Sequence, residues 1–197
     1  KASAEEIDRM IFERLQNVAS WSRLDIMQEA RIDDVDKRLS HFLFDLKTSY
    51  QDVYSALDVV NTAGVIVASS EPNHIGQPLS ILTHWRTLPM TTQTISLSAI
   101  HAQHLRISAP IVDPLDEASL GRLVATFNWQ KIVAVLGNAV TGRSAAALFD
   151  HEQKMIANTA NWHEDSKPHS IRVRALAKGY QPTSVLGWQV EFAQHKS

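Results

Sequence analysis

The strongest constraint on this 197-residue chain is a strand–turn–strand pattern that occurs twice at a fixed offset. Residues 54–68, "YSALDVVNTAGVIVA", lie over residues 143–157, "RSAAALFDHEQKMIA", at an offset of 89. Ser55-Ala56 meets Ser144-Ala145, Val59-Val60-Asn61 meets Leu148-Phe149-Asp150, and Ile66-Val67-Ala68 meets Met155-Ile156-Ala157. A second pair of segments follows in the same order. "LRISAP" (105–110) lies over "IRVRAL" (171–176), and "LGRLVATF" (120–127) over "LGWQVEF" (186–192), both at an offset of 66. Arg106 then falls on Arg172, and Leu120-Gly121 on Leu186-Gly187. One unit is used twice: a hairpin, an excursion, two further strands.

The first hairpin is locally explicit. Val59 and Val60 end one apolar run, Asn61 to Gly64 supplies the turn with Gly64 free to take positive φ, and Val65 to Val67 begins the return strand. Strands are further expected at 54–60, 65–70, 104–112, 120–128, 145–149, 154–158, 171–177 and 186–193, and a short helix at 129–137 stopped by Gly137. The two offsets differ by 23 residues, so the first copy's excursion, within 71–103, is longer by that amount. Long connections in compact domains serve as lids or binding loops.

Ahead of the repeat, residues 4–48 carry apolar positions at steps of three and four: Ile7, Ile11, Leu15 and Val18, then Leu24, Met27, Val35, Leu39, Phe42, Leu43 and Leu46. Neither Gly nor Pro occurs before Gly64. The spacing predicts one helix over 4–48, roughly 65 Å long at 1.5 Å per residue, with a bend accommodated at Arg31-Ile32-Asp33-Asp34. The net charge of −2 gives a nucleic-acid partner no support. The absence of cysteine excludes disulfides and cysteine-ligated metals. No run approaches the ~20 apolar residues that span a bilayer. A start at Lys1 without a signal peptide suggests a piece of a longer protein.

The helix, "ALDVVNTAGVIVASSEPNHIGQ", "LRISAPIVD" before "GRLVATF", "AALFDHEQKMIA" and the closing "LGWQVEF" together resemble the extracytoplasmic double Cache sensor domain of bacterial transmembrane receptors. The resemblance spans the whole chain. It implies an α+β fold: a long N-terminal helix (1–49), a membrane-distal PAS-like module (50–137) that binds the ligand, and a smaller membrane-proximal module (138–197), both with antiparallel sheets. It implies two flanking transmembrane helices outside this sequence, a periplasmic or extracellular location, and a cytoplasmic output such as a histidine kinase, diguanylate cyclase or chemotaxis module. A homodimer through the N-terminal helix is expected, and no cofactor.

In amino-acid-binding members of that family, an Arg beside aromatics grips the ligand carboxylate. Trp85-Arg86 answers to that position, and a planar guanidinium pairs bidentately with a carboxylate. The family's later Asp, which holds the ligand amine, is replaced by Thr126, so a carboxylate without an amine fits better. His84, Ser69, His104, Arg106 and Ser108 complete the expected site. Each has a plain alternative: solvent-facing loop residues for Arg86 and the serines, a sheet face for Arg106, pocket-wall or surface positions for the histidines. Asp33-Asp34 and Glu164-Asp165 read as solvated faces, Asp113 as a turn residue, and Tyr180 and Trp188 as core aromatics.

His74, His84, His101 and His104 gather in or beside the excursion, but no HExxH pattern or acidic partner at metal spacing accompanies them. No nucleophile motif, P-loop or GxGxxG occurs. The fragment itself is expected to be non-enzymatic. Two alternatives stand beside the sensor: a partner-protein module without a small ligand, with Ile81, Leu82, Leu88 and Met90 as its apolar surface, and a metal-dependent hydrolase.

Overall fold

The computed structural model describes residues 2–79, 86–90, 93–100, 104–138, 140, 144–149, 153, 155–160, 162, 171–174 and 189–194. Its helices are α1 (Ala2–Trp21), α2 (Arg38–Ser49) and α3 (Gln130–Asn138), with 3₁₀ helices at Asp25–Ile32 and Pro72–His74. Its strands are β1 (Tyr54–Val60), β2 (Ile66–Ser69), β3 (Arg86–Met90), β4 (Gln93–Ile100), β5 (His104–Val112), β6 (Ser119–Asn128), β7 (Ser144–Phe149), β8 (Met155–Asn158), β9 (Ile171–Arg174) and β10 (Gln189–Gln194). The chain is α+β, and it divides into two compact units. One holds residues 14–100 and 104–128 with a six-stranded antiparallel sheet. The other holds 1–13, 101–103 and 129–197 with a four-stranded antiparallel sheet.

The two sheets share a strand order. The first sheet runs β2-β1-β6-β5-β4-β3 and the second β8-β7-β10-β9. The second therefore repeats the first four positions of the first. The finer details recur at the same offset. The β1–β2 ladder shifts register between Val59 and Val60, and the β7–β8 ladder between Leu148 and Phe149. Ser70 Oγ accepts the amide of Leu57 at 2.9 Å while Ser70 N donates to Leu57 O. Thr159 Oγ1 accepts the amide of Ala146 at 3.0 Å while Thr159 N donates to Ala146 O. In each unit a hydroxyl just past the hairpin completes the first strand's ladder. Ser70 is thus a buried structural group, not the solvent-facing residue that its position in a polar stretch suggests.

The turn between β1 and β2 forms as its residues dictate. Gly64 sits at φ +82, and Asn61 Oδ1 accepts the amides of Ala63 and Val65 at 3.0 and 3.1 Å. The expected excursion is not wholly a connection. β3 and β4 pair with each other and widen the first sheet beyond the order shared with the second. The alternation in "QTISLSAI" is a strand period.

The single helix expected over 4–48 is broken. α1 ends at Trp21, and α2 begins only at Arg38. Asp33, Asp34 and Lys37 take φ of 53, 50 and 58, the left-handed region. Asp34, expected on a solvated face, is fully buried. Its Oδ1 accepts the Leu39 amide at 2.9 Å, and its Oδ2 accepts the Ser40 amide at 3.0 Å and the Ser40 hydroxyl at 2.8 Å. One carboxylate thus satisfies the open N–H groups of a new helix start. Val35, counted in the apolar period, is 70% exposed.

Across β1, β6 and β5 one face of the first sheet is apolar. Leu57, Ala125 and Ile107 lie side by side across β1, β6 and β5, as do Val59, Leu123 and Ala109, and all six are buried. At one end of that face Tyr54 meets Trp21 and Tyr50 edge-on, with centroids 5.4 and 6.0 Å away. Asn17 Nδ2 donates to the phenol oxygen at 3.2 Å, and the Arg14 guanidinium lies 5.8 Å from the ring centroid. Burial pushes the Tyr54 hydroxyl up to about 12, against the Asn17 bond and the Arg14 charge, which pull it down. The fold therefore favours neutral Tyr54. That contribution is present below the ordinary tyrosine value of about 10 and is lost as pH rises through about 12. A tyrosinate absorbance titration should show one step near pH 12 that disappears in Tyr54→Phe. Full ionisation by pH 11 would contradict the assignment.

Candidate functional site

The opposite face of the first sheet is polar at its centre. One row runs Ser69, Asp58, Val124, Ser108, Ser96, Thr87 from β2 to β3. The neighbouring row runs Ala56, Thr126, Arg106, Ser98. A third pairs Val60, Arg122 and Pro110. Strand alternation puts the β2, β1, β6 and β5 members of these rows on one face. A small apolar cluster of Val60, Ile66 and Val124, with Leu79 packed on it, borders the polar centre.

Four of the expected residues, Ser69, Arg106, Ser108 and Thr126, share this face. Arg106 is half-buried, and it makes no hydrogen bond or ion pair with another described residue. Its row neighbour Thr126 is 6% exposed, and Ser108, two residues along β5, is fully buried. The Ser108 hydroxyl accepts from Arg122 Nε at 2.9 Å, and Arg122 Nη2 donates to the Ser108 carbonyl at 3.3 Å. Desolvation by burial lowers the pKa of Arg122 from its ordinary value. Two guanidinium groups on one partly dry face, one of them oriented through Ser108, suit an anion.

Ser69 stands at the rim. It is buried, donates its hydroxyl to Asp58 Oδ1 at 2.5 Å and accepts the Glu71 amide at 2.9 Å. It is neither solvent-facing nor idle. Asp58 is 3% exposed, and Oδ1 also meets His74 Nδ1 at 3.0 Å. The sequence reading missed Asp58 because it lies in the apolar run "ALDVV". One acid between Leu57 and Val59, inside an apolar strand run, was the available signal.

Arg86 belongs by register to the other row set, beside Leu97, Ile107, Ala125 and Leu57. His104 opens β5, paired with Ile100 and Asn128. His84, Trp85, His101, Tyr180, Trp188, Glu164 and Asp165 lie outside the described residues, as do Ile81 and Leu82. Asp113 does make a turn, accepting the Leu115 amide at 2.8 Å, and it also pairs with Arg31. Among the described residues no three His, Cys, Asp or Glu side chains gather to hold a metal ion, and no helix is long and apolar enough to cross a membrane.

No family model matches the sequence, and no curated protein matches it. Solved structures do. The sensor domain of the Vibrio cholerae histidine kinase DctB superposes at a TM-score of 0.65 with 11% identity, over 100% of this chain and 95% of that one. The ligand-binding domain of the Pseudomonas fluorescens chemoreceptor CtaA, in complex with L-serine, gives 0.61 with 13% identity over 98% and 92%. An extracellular ligand-binding receptor from Desulfohalobium retbaense gives 0.64 with 12% identity over 98% of this chain, which spans 39% of that one. The chain has the fold of extracytoplasmic sensor domains of histidine kinases and chemoreceptors.

Proposed function

We propose that the chain is the extracytoplasmic sensing part of a transmembrane signalling protein, and that it binds a small carboxylate ligand on the polar face of its six-stranded sheet. The observation that carries this reading is Arg106: a half-buried guanidinium without a partner among the described residues, in the row of Thr126 and beside the Ser108–Arg122 pair. A charge kept partly dry in that way favours an anionic ligand. The shared fold adds support, and L-serine, held by the chemoreceptor domain, carries the same group. In this reading Arg106, not Arg86, grips the carboxylate, with Thr126 and Ser108 beside it. Two PAS-like modules, membrane spans on either side, a dimer through the N-terminal helix and a cytoplasmic output domain belong to the same proposal.

A ligand at 100 times its dissociation constant stabilises by ~2.7 kcal/mol, roughly 5–10 °C in a chain of this size. A thermal-shift panel of mono- and dicarboxylates, amino acids, amines and divalent metals is therefore expected to return at least one acid. Arg106→Ala should weaken that acid by about 2–3 kcal/mol, roughly 30- to 150-fold. Unchanged affinity would remove Arg106 from the site. A panel without any acid among its hits would favour the partner-protein reading instead.

A further inference from the structure

The polar face is joined to the start of α2 by an unbroken series of hydrogen bonds through the sheet edge. Asp58 Oδ1 accepts the Ser69 hydroxyl at 2.5 Å. β2 is the edge strand, and the Ser69 amide donates to Ser40 Oγ at 3.2 Å. The Ser40 hydroxyl in turn donates to Asp34 Oδ2 at 2.8 Å. Asp58, Ser69, Ser40 and Asp34 are all buried. A serine has one proton to give. Ser69 spends its proton on Asp58 and Ser40 spends its own on Asp34, so neither can re-pair without leaving a buried group open.

The far end of the series is a poised element. Asp34 holds the first turn of α2, and it does so across three left-handed residues, Asp33, Asp34 and Lys37. Such backbone persists only while its surroundings over-determine it. The near end faces the ligand. Oδ1 of Asp58 is taken by Ser69 and His74, while Oδ2 accepts nothing from a described residue. A second tie runs from Glu71 to Lys47 on the same helix.

We propose that this series is the output coupling of the site: a ligand donor that engages Asp58 changes its hold on Ser69, and the change is read as tighter or looser capping of α2 by Asp34. The proposal rests on the polar face being the ligand face, but its mechanical part holds or fails without any ligand. In this proposal α2 has two arrangements, the capped one seen here and an uncapped one, and Asp58 biases their balance.

The test is amide hydrogen exchange on the 197-residue chain, comparing wild type with Asp58→Asn, Ser69→Ala and Arg106→Ala. Asp58→Asn and Ser69→Ala are each expected to raise exchange at Leu39 and Ser40 at least tenfold over any change at Ile107 and Leu123. Arg106→Ala, outside the series, should leave Leu39 and Ser40 unchanged while removing the acid found by the panel. Unchanged exchange at Leu39 and Ser40 in both Asp58→Asn and Ser69→Ala overturns the coupling, and so does a rise shared equally by Ile107 and Leu123. If Arg106→Ala keeps its ligand while Asp58→Asn loosens α2, the coupling stands and the carboxylate site falls.

Discussion

Gly121→Ala is expected to cost about 4 kcal/mol, combining left-side backbone strain with overpacking, and to lower the melting temperature by roughly 10 °C. Gly121 lies opposite Ile111 in the first sheet at φ +135, a conformation L-residues rarely adopt. A Cβ there would come within 2.0 Å of the Val60 carbonyl oxygen and 3.0 Å of its carbon. Both are backbone atoms of the neighbouring strand, so no side chain can swing away. Gly137 in α3 is the contrasting case. A Cβ there meets nothing within 4 Å, and Gly137→Ala should be neutral or stabilising by up to ~1 kcal/mol. Urea denaturation of the two variants checks both, and a Gly121→Ala loss below ~1 kcal/mol would show that β1 and β6 separate easily at this point.

Asp34→Ala should lose about 3 kcal/mol. The carboxylate accepts from Leu39 N, Ser40 N and Ser40 Oγ, and it is fully buried. Removing an N-cap acceptor costs ~1 kcal/mol, and stranding further buried donors adds ~1–3. The left-handed turn at 33–37 loses its clamp at the same time. Asp34→Asn keeps one acceptor oxygen and is expected to lose roughly half as much. Equal stability of Asp34→Ala and wild type in urea would mean that the turn holds without its carboxylate.

How much of this could be read in the sequence depended on whether the signal was local. The β1–β2 turn was legible because Asn61 and Gly64 each have a backbone job that few residues can do. The strand order shared by the two sheets was legible because the same apolar and turn pattern recurs in the same sequence order. The helix break was not. It uses no Gly or Pro, and it depends on a buried acid whose sequence neighbourhood, "RIDDVDKR", looks like a solvated face. Asp58 was hidden for the opposite reason, a charge inside an apolar strand whose partners, Ser69 and His74, arrive only after the chain has turned. Arg106 and Ser108 could be named from their strand and Thr126 from the family resemblance, but their common face follows from the β5–β6 register. The same register moves Arg86 to another row, although in sequence it had the better claim as an anion grip.

A crystal structure of this chain with the tightest-binding acid from the panel decides whether Arg106 grips the ligand. The acid's carboxylate is expected within hydrogen-bond distance of the Arg106 guanidinium, on the face that carries Asp58, Ser108 and Thr126. An acid bound to the four-stranded sheet, or held by Arg86 with Arg106 left in solvent, would contradict it.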